Sequence, residues 1–266
     1  MDGRAFVAPS RIFAFPSRDE LFRFQVKIVT LLHALIGRRE TGKTTLAMNQ
    51  ARQPHIRQRL IFDIRNNIAP RGDGIKVFSA EELIETGYPL LLQDEVSEVI
   101  YVPKDGIVYG FSAWSTVVQE YVELFRSRRA AVVIDEAGIL DKQIEPMDHP
   151  IQLAMRNCRR DRTDFYFTCH QPKHIPTNTR AISDFLIFFH CSQEHDLRVI
   201  AERTSDAFAA KVARLAPYHF LIWNDFKGEP VAVAVEPHAW HVDLEARPAE
   251  PAPARSRGID VGNLWL

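Results

Sequence analysis

Residues 37–45, GRRETGKTT, constrain the fold more than any other part of the sequence. They follow the apolar run VKIVTLLHALI at 26–36 and precede TLAMNQAR, which is rich in good helix formers. A glycine, four residues and then Gly-Lys-Thr form the P-loop pattern, in which a turn between a strand and a helix holds phosphate groups. The sequence therefore predicts a strand, a phosphate-binding loop and a helix in this order.

The positions of this loop have distinct chemical roles. Backbone N–H groups of a glycine-rich turn surround phosphates, and the positive N-terminal end of the following helix points at them. We expect Lys43 to reach the β and γ phosphates of ATP and Thr44 to bind Mg²⁺ through its hydroxyl. The predicted nucleotide-binding residues are Gly37, Arg38, Arg39, Glu40, Thr41, Gly42, Lys43, Thr44 and Thr45.

A second motif, AAVVIDEAG at 130–138, supplies the acidic half of such a site. The apolar run predicts a buried strand with Asp135 at its tip, where the carboxylate would hold Mg²⁺ through water. Glu136 is the predicted general base, which would polarise the water that attacks the γ-phosphate. An Asp-Glu pair can also cap a helix, but its place after a P-loop favours the catalytic interpretation.

Polar groups also surround the apolar segment FYFTCH at 165–170. Gln171 is the predicted γ-phosphate sensor because its amide both donates and accepts hydrogen bonds, and His170 is the alternative at the same strand end. The preceding RNCRRDRTD carries four arginines, which favours an anionic partner, either a neighbouring subunit's ATP or a DNA backbone. A solvated helix end is the competing explanation. The four are Arg156, Arg159, Arg160 and Arg162.

Apolar runs alternate with stretches of helical periodicity along most of the chain. Several runs lack period-two alternation, as strands buried on both faces do. This alternation predicts an α/β fold with a mostly parallel central sheet covered by helices on both faces. HFLIWND and PVAVAVEP, on either side of FKGE, add a predicted terminal hairpin. Strands are predicted at 59–64, 75–79, 98–102, 130–135, 164–170 and 184–190. Helices are predicted at 113–129, 150–161 and 195–215.

Composition limits the partners and the compartment. The 33 Lys and Arg against 34 Asp and Glu give a formal net charge of -1, so DNA contact would have to come from local patches or from a ring of subunits. Three cysteines, set singly, argue against a disulfide framework and favour a reducing cytoplasm. No apolar run reaches the roughly 20 residues that span a bilayer, which predicts a soluble protein.

Composition also changes along the chain. The predicted division is an N-terminal segment at 1–25, one ATPase domain at 26–244 and a flexible Pro/Ala-rich tail at 245–266. Alternating proline, alanine and charge cannot build a core, so the tail is expected to be extended. Its apolar end, GNLWL, is either a docking peptide or a frayed terminus.

The order of GRRETGKTT, VVIDEAG, RRDRTDFYFTCHQPKHIP and TRAISDFLIFF resembles the FtsK–HerA superfamily of P-loop DNA-translocating ATPases. Within it, the chain is most similar to the genome-packaging ATPases of membrane-containing double-stranded DNA viruses. The resemblance covers about residues 26–225. It implies a RecA-like core that uses ATP and Mg²⁺, a homo-oligomeric ring, commonly a hexamer, and double-stranded DNA as the partner pumped into a preformed capsid. It also implies an arginine finger, which falls at Arg160 or Arg162.

This resemblance carries further expectations about location and partners. The protein would act in the host-cell cytoplasm and at a virion vertex, where its tail could bind a capsid vertex or membrane-associated portal protein. The bulky residues 38–40 and the HQP sequence are not typical of the family. The alternatives are a filamentous-phage assembly or secretion-type ATPase of the same superfamily, or a nucleotide-dependent assembly protein without DNA pumping. Candidate DNA contacts are Lys142 and Gln143, or Arg57, Arg59, Arg65 and Arg71.

Overall fold

The computed structural model describes residues 32–124, 129–144, 146–175, 177–223 and 231–233, and the backbone alone at 141, 143, 159–161, 177 and 231–233. The strands of this part of the chain are β1 (Leu32–Ile36), β2 (Gln58–Asp63), β3 (Ile75–Val77), β4 (Glu98–Tyr101), β5 (Ala130–Asp135), β6 (Thr163–Cys169), β7 (Phe185–Phe189), β8 (Phe220–Trp223) and β9 (Val231–Val233). They form one sheet in the order β3-β4-β2-β5-β6-β1-β7-β8-β9. Strands from β3 across to β7 pair in parallel, whereas β8 and β9 are antiparallel.

Helical segments connect these strands. The α-helices in the described residues are α1 (Lys43–Ala51), α2 (Ala80–Glu82), α3 (Tyr88–Leu92), α4 (Ile107–Leu124), α5 (Asp141–Ile144), α6 (Pro150–Asp161), α7 (Thr177–Ile182), α8 (Glu194–Arg203) and α9 (Asp206–Val212). A π-helical turn, Leu83–Gly87, joins α2 to α3, and 3₁₀ turns lie at Ala137–Leu140 and Pro172–His174.

The central strands are apolar throughout because both faces of the sheet are covered. All six residues of β5 are buried. Val132 belongs to a core cluster that includes Trp114 of α4, while its neighbour Val133 belongs to the cluster on the opposite face, with Leu46 of α1. Successive residues of a strand point to opposite faces, so helices pack on both sides. The predicted α/β fold is confirmed.

Several helical regions differ from the sequence prediction: α4 begins at Ile107 rather than at 113, and α5 and α7 were not predicted. The stretch predicted as helical at 195–215 is interrupted at Thr204, because Ser205 begins α9 by accepting a hydrogen bond from Phe208 N at 3.2 Å. The helical region from α2 to α3 was not predicted. Its signal is a capping box: Ser79 Oγ accepts from Glu82 N at 3.1 Å, and the Glu82 carboxylate accepts from Phe78 N at 2.6 Å.

The ends of the chain and the cysteines complete this description. The predicted antiparallel hairpin is present as β8 and β9, while its FKGE turn lies outside the described residues. The boundaries of the segments 1–25, 26–244 and 245–266 lie outside them as well. Cys158, Cys169 and Cys191 are free and buried. None of the helices in the described part of the chain has the length and apolar content needed to cross a bilayer.

Candidate active site

The loop after β1 is fixed to the strands on both sides. Gly37 N donates to the Cys169 carbonyl at the end of β6, and Arg38 N donates to the His190 carbonyl after β7, both at 3.1 Å. A Cβ at Gly37 would lie 2.6 Å from Phe189 Cβ, closer than side-chain atoms approach one another, so only glycine fits there. The P-loop therefore starts at a defined position at the carboxyl edge of the parallel strands.

Within the loop, polar side chains close the turn. Thr41 Oγ1 and Lys43 Nζ both donate to the Arg38 carbonyl, at 2.8 and 2.6 Å. Glu40, with φ 58°, and Gly42, with φ 98°, have left-handed backbone conformations. Gly42 gives α1 no side-chain cap, so the first N–H groups of this helix remain donors for an anion.

The bulky loop residues that are unusual for a P-loop do not obstruct it. Arg38, Arg39 and Glu40 are all exposed, whereas Thr41 and Lys43 on the inner side are buried. Large side chains are tolerated at the tip because they extend into solvent. Thr44 and Thr45 are half-buried in the first turn of α1.

Asp135 and Thr44 meet as the two motifs require. Thr44 Oγ1 donates to Asp135 Oδ1 at 2.7 Å, and Thr168 Oγ1 of β6 donates to the same oxygen at 2.7 Å. Thr168 Oγ1 also accepts from Glu136 N at 2.9 Å, so this hydroxyl fixes both acidic residues. Burial raises the pKa of Asp135, and the two hydroxyl contacts partly offset this effect.

Glu136 lies in a left-handed conformation, with φ 60°, directly after β5. Its Oε1 is 2.7 Å from His170 Nε2 and 3.2 Å from Arg65 Nε. Partial burial raises the pKa of Glu136, but His170 and the positive charges of Arg65 and Lys43 outweigh it, so the pKa lies below its ordinary value. The carboxylate is therefore ionised at neutral pH.

Lys43 and His170 link the loop to the acidic pair. Lys43 Nζ is 3.4 Å from His170 Nδ1. With its proton on Nε2, the imidazole accepts from Lys43 at Nδ1 and places Nε2 against the Glu136 carboxylate. Burial lowers the pKa of Lys43, while the charges of Glu136 and Asp135 raise it. Opposite charges are thus held together in a largely buried site.

Comparison with other proteins places this geometry in a known fold. No protein-family model matches the sequence, and no curated protein matches it. The genome packaging NTPase B204 from Sulfolobus turreted icosahedral virus 2, in complex with AMPPCP, has a similar structure, with a TM-score of 0.60 and 18% identity over 77% of this chain and 98% of B204. VirB4 of Thermoanaerobacter pseudethanolicus is also similar, with a TM-score of 0.56 and 11% identity over 77% of this chain and 90% of VirB4.

The chain shares the α/β fold of B204 and VirB4. The mostly parallel sheet expected from the order of the motifs is therefore also the sheet of these similar structures. In this fold β6 lies between β1 and β5, which brings the P-loop of β1 and the Asp-Glu pair of β5 to either side of the residues that end β6.

The structure separates the two sensor candidates. His170 contacts both Lys43 and Glu136, whereas Gln171 Nε2 donates to Gln193 Oε1 at 3.1 Å, on the side of β7. His170 is therefore the strand-end residue that lies in the acidic site, and the sensor role of Gln171 stays a prediction. Thr168 and Arg65 are site residues that sequence reasoning did not identify as such.

The arginines lie on and just after α6. Arg156 is exposed and contacts Met147 Sδ, and Arg162 is exposed in a left-handed conformation, with φ 55°, at the end of the helix. The side chains of Arg159 and Arg160 lie outside the described part of the structure. The finger role of Arg160 stays a prediction.

The candidate DNA contacts have different environments. Arg59 donates to the carbonyls of Ala51 and Ile56 at 2.8 Å, so it caps the end of α1. Arg65 pairs with Glu136, whereas Lys142 of α5 is exposed. The side chain of Gln143 lies outside the described part of the structure, and Arg57 and Arg71 are exposed. Arg59 and Arg65 thus have structural contacts that the sequence did not predict.

The oxygen pair formed by Thr44 and Asp135 suits Mg²⁺. Hydroxyl and carboxylate oxygens are ligands this ion accepts, and Mg²⁺ sites with phosphates use only one or two protein ligands. Within the described residues, no group of three or more His, Cys, Asp or Glu side chains could hold a metal ion. Thr44 and Asp135 are the two residues that would contribute these oxygen ligands.

Proposed function

We propose that this protein hydrolyses ATP and uses the energy to move double-stranded viral DNA into a preformed capsid. The observation that carries the proposal is the convergence of Lys43 and Thr44 with Asp135 and Glu136 at one edge of the sheet. The similarity of this chain's fold to that of the packaging NTPase B204 supports a role of this chemistry in packaging.

In the proposed reaction the P-loop N–H groups and Lys43 bind the phosphates of ATP. Thr44 and Asp135 would hold Mg²⁺, which neutralises charge that develops on the phosphate oxygens. Glu136 would accept a proton from water as the water oxygen bonds to the γ-phosphorus, while the bond from the γ-phosphorus to the β–γ bridging oxygen breaks and ADP leaves. Because His170 and Arg65 both contact Oε1, the proton would go to Oε2.

His170 has a positioning role in this proposal. It touches Lys43 with one ring nitrogen and Glu136 with the other, so it fixes the distance between the phosphate-binding loop and the base. Its contact with Glu136 also helps to keep the carboxylate ionised. A change in the γ-phosphate could reach Glu136 through this ring, which is the property expected of a sensor.

The motor part of the proposal requires a ring and a DNA contact. A ring, favoured as a hexamer, would allow Arg160 to enter a neighbouring subunit's site, where an arginine finger increases the rate by ~10³ to 10⁵-fold. The net charge of -1 gives no general attraction to DNA, so exposed cations such as Lys142 of α5 are the proposed contacts. The tail at 245–266 is the proposed attachment to a capsid or portal protein.

ATP hydrolysis with and without linear double-stranded DNA, measured together with the mass of the protein in solution, tests this function. DNA-stimulated hydrolysis by a multimer is the expected result, and Lys43→Ala should remove both nucleotide binding and hydrolysis. Hydrolysis indifferent to DNA in a stable multimer would contradict translocation. It would favour a nucleotide-dependent assembly protein.

Mixing experiments test the proposed finger. Arg160→Ala subunits lack the finger but keep their base, while Glu136→Gln subunits lack the base but keep their finger. Mixed rings should regain activity at interfaces where an intact finger meets an intact base. No recovery at any mixing ratio would contradict the role of Arg160.

A further inference from the structure

The turn before β8 lies beside the P-loop although it comes far later in the sequence. Because β8 runs antiparallel to β7, with Phe220 opposite Phe189, the residues that precede β8 lie at the edge where β1 and β7 end. Tyr218 is two residues before β8. The antiparallel strand thus returns the chain to the phosphate-binding edge.

The conformation of this turn is unusual for a tyrosine. His219 N donates to the Ala216 carbonyl at 3.1 Å, which closes a four-residue turn with Pro217 in its second position. Tyr218, in the third position, has φ 64°. Glycine is the ordinary residue for a positive φ at this place in a turn. A strained side-chain-bearing residue of this kind is often kept for a function.

The ring of Tyr218 covers the last glycine of the P-loop. A Cβ at Gly42 would lie 2.9 Å from Tyr218 Cδ1 and 3.7 Å from Phe189 Cε1. Gly42 therefore allows the ring to approach the start of α1, in addition to providing the left-handed turn. Tyr218 is still 37% exposed, so much of its surface remains accessible at the entrance to the loop.

The direction of a bound nucleotide follows from the catalytic groups. Glu136 lies on the β5 side of the loop, so the γ-phosphate must face that side for hydrolysis. Tyr218 lies on the opposite side, next to β7 and β8. A nucleotide whose γ-phosphate faces Glu136 would have its nucleoside end directed away from Glu136, and Tyr218 lies on that opposite side of the loop.

We propose that Tyr218 stacks on the nucleobase of the bound nucleoside triphosphate. This inference rests on the proposed ATPase function and assigns the base-binding part of the same site. Stacking on an aromatic ring depends on the flat surface of a base rather than on its hydrogen-bonding edge. Tyr218 therefore contributes affinity that ATP and GTP share.

Calorimetric binding of ATP and of inorganic tripolyphosphate separates the base from the phosphates. Tyr218→Gly removes the ring and also relieves the positive φ, so it should not impair folding. We expect it to weaken ATP binding by roughly 5- to 100-fold and to leave tripolyphosphate binding unchanged. Tyr218→Phe should retain wild-type affinity for ATP. Tyr109→Ala, which removes a more exposed aromatic ring from α4, is the control.

Each result of this experiment has a defined meaning. Equal weakening of ATP and tripolyphosphate would show that Tyr218 only supports the loop, and unchanged ATP affinity would show that the ring does not touch the base. Either result overturns the inference while the ATPase proposal stands. Failure of the wild-type protein to bind ATP or tripolyphosphate would overturn both.

Discussion

The two sides of the P-loop differ in how their polar groups are held. On the β5–β6 flank, formed by Asp135, Glu136, Thr168 and His170, hydroxyl, carboxylate and imidazole groups form one largely buried network. On the β7–β8 flank, formed by Ser192, Gln193 and Tyr218, the contacts to the loop and to β6 are exposed.

Under the proposed function, this difference would serve two tasks. Charges and dipoles act more strongly where water is excluded, so a buried network suits the positioning of a base and the stabilisation of charge in hydrolysis. Exposed hydrogen bonds compete with water and contribute little, which suits a surface that receives the nucleoside end of a ligand. Substitutions on the β5–β6 flank should therefore lower ATP turnover, and those on the β7–β8 flank should change ATP affinity or have no effect.

The largest effect is expected for Glu136→Gln. The amide cannot accept a proton from water, so ATP turnover should fall by about 10²- to 10⁴-fold, while ATP affinity stays close to that of the wild type. Single-turnover hydrolysis and equilibrium binding measure the two quantities. Glu81→Gln, an exposed change on α2, is the matched control. Undiminished turnover in Glu136→Gln would remove this residue from the role of base.

Thr168→Val should lower turnover by roughly 10- to 100-fold, because it removes the hydroxyl that supports Asp135 and leaves Glu136 N without this acceptor. Thr168→Ser keeps the hydroxyl and should retain activity. Thr116→Val, on an exposed position of α4, controls for loss of a threonine hydroxyl. If Thr168→Val is as active as the wild type, the buried network does not position the acidic pair.

The ring of His33 in β1 lies between the two flanks. It stacks on the rings of Tyr166 in β6 and Phe185 in β7, with ring centroids 4.7 and 5.4 Å apart. Burial lowers the pKa of His33 from 6.5 to about 3. Between about pH 3 and pH 6.5, His33 binds more protons in the unfolded chain than in the folded protein. The contribution of neutral His33 to the free energy of unfolding is therefore fully present above pH 6.5 and is lost as the pH falls. The contribution of His33 to this loss is at most about 2 kcal/mol at pH 5.

Urea unfolding at pH 7 and pH 5 measures this effect. His33→Phe keeps an aromatic ring between the same two neighbours and cannot be protonated, so it should lose less stability than the wild type on acidification. His195→Phe, at an exposed position of α8, should lose as much as the wild type. Equal losses in the wild type and His33→Phe would show that protonation of His33 does not couple to unfolding.

The smallest effect is expected for Ser192→Ala. Its hydroxyl accepts from Arg38 Nη1 at 3.1 Å in an exposed position, so its removal should change ATP affinity and turnover by no more than about threefold. The same assays used for Thr168→Val apply, and the two variants each remove one hydroxyl next to the P-loop. An effect of Ser192→Ala as large as that of Thr168→Val would contradict the contrast between the flanks.

Local patterns in the sequence predicted much of the fold. The continuous apolar run of β5 indicated a strand buried on both faces, and the structure places helices on both faces of it. Periodicity alone did not show that Ser205 begins a new helix, because a capping side chain acts through one hydrogen bond and hardly changes the apolar pattern. The capping box at Ser79 can be recognised in the sequence, but the helix that it starts, Ala80–Glu82, is short and continues as a π-helical turn.

The sequence alone could not decide which of His170 and Gln171 lies beside Glu136. Both residues follow β6, and the sequence favoured Gln171 because its amide both donates and accepts hydrogen bonds. Their directions differ: His170 faces Glu136, and Gln171 faces Gln193. Direction at a strand end depends on the local backbone and on the neighbouring strands, neither of which the motif specifies.

By itself, the sequence determined the phosphate-binding loop, the acidic pair and the α/β alternation, because these depend on residues close together in the chain. The tertiary structure decided which distant side chains complete the site. Strand order brings β6 between β1 and β5, and β2 beside β5, so Thr168, His170 and Arg65 reach the acidic pair. The antiparallel return of β8 brings Tyr218 to Gly42. Such contacts depend on how strands are ordered and directed, which no local spacing encodes.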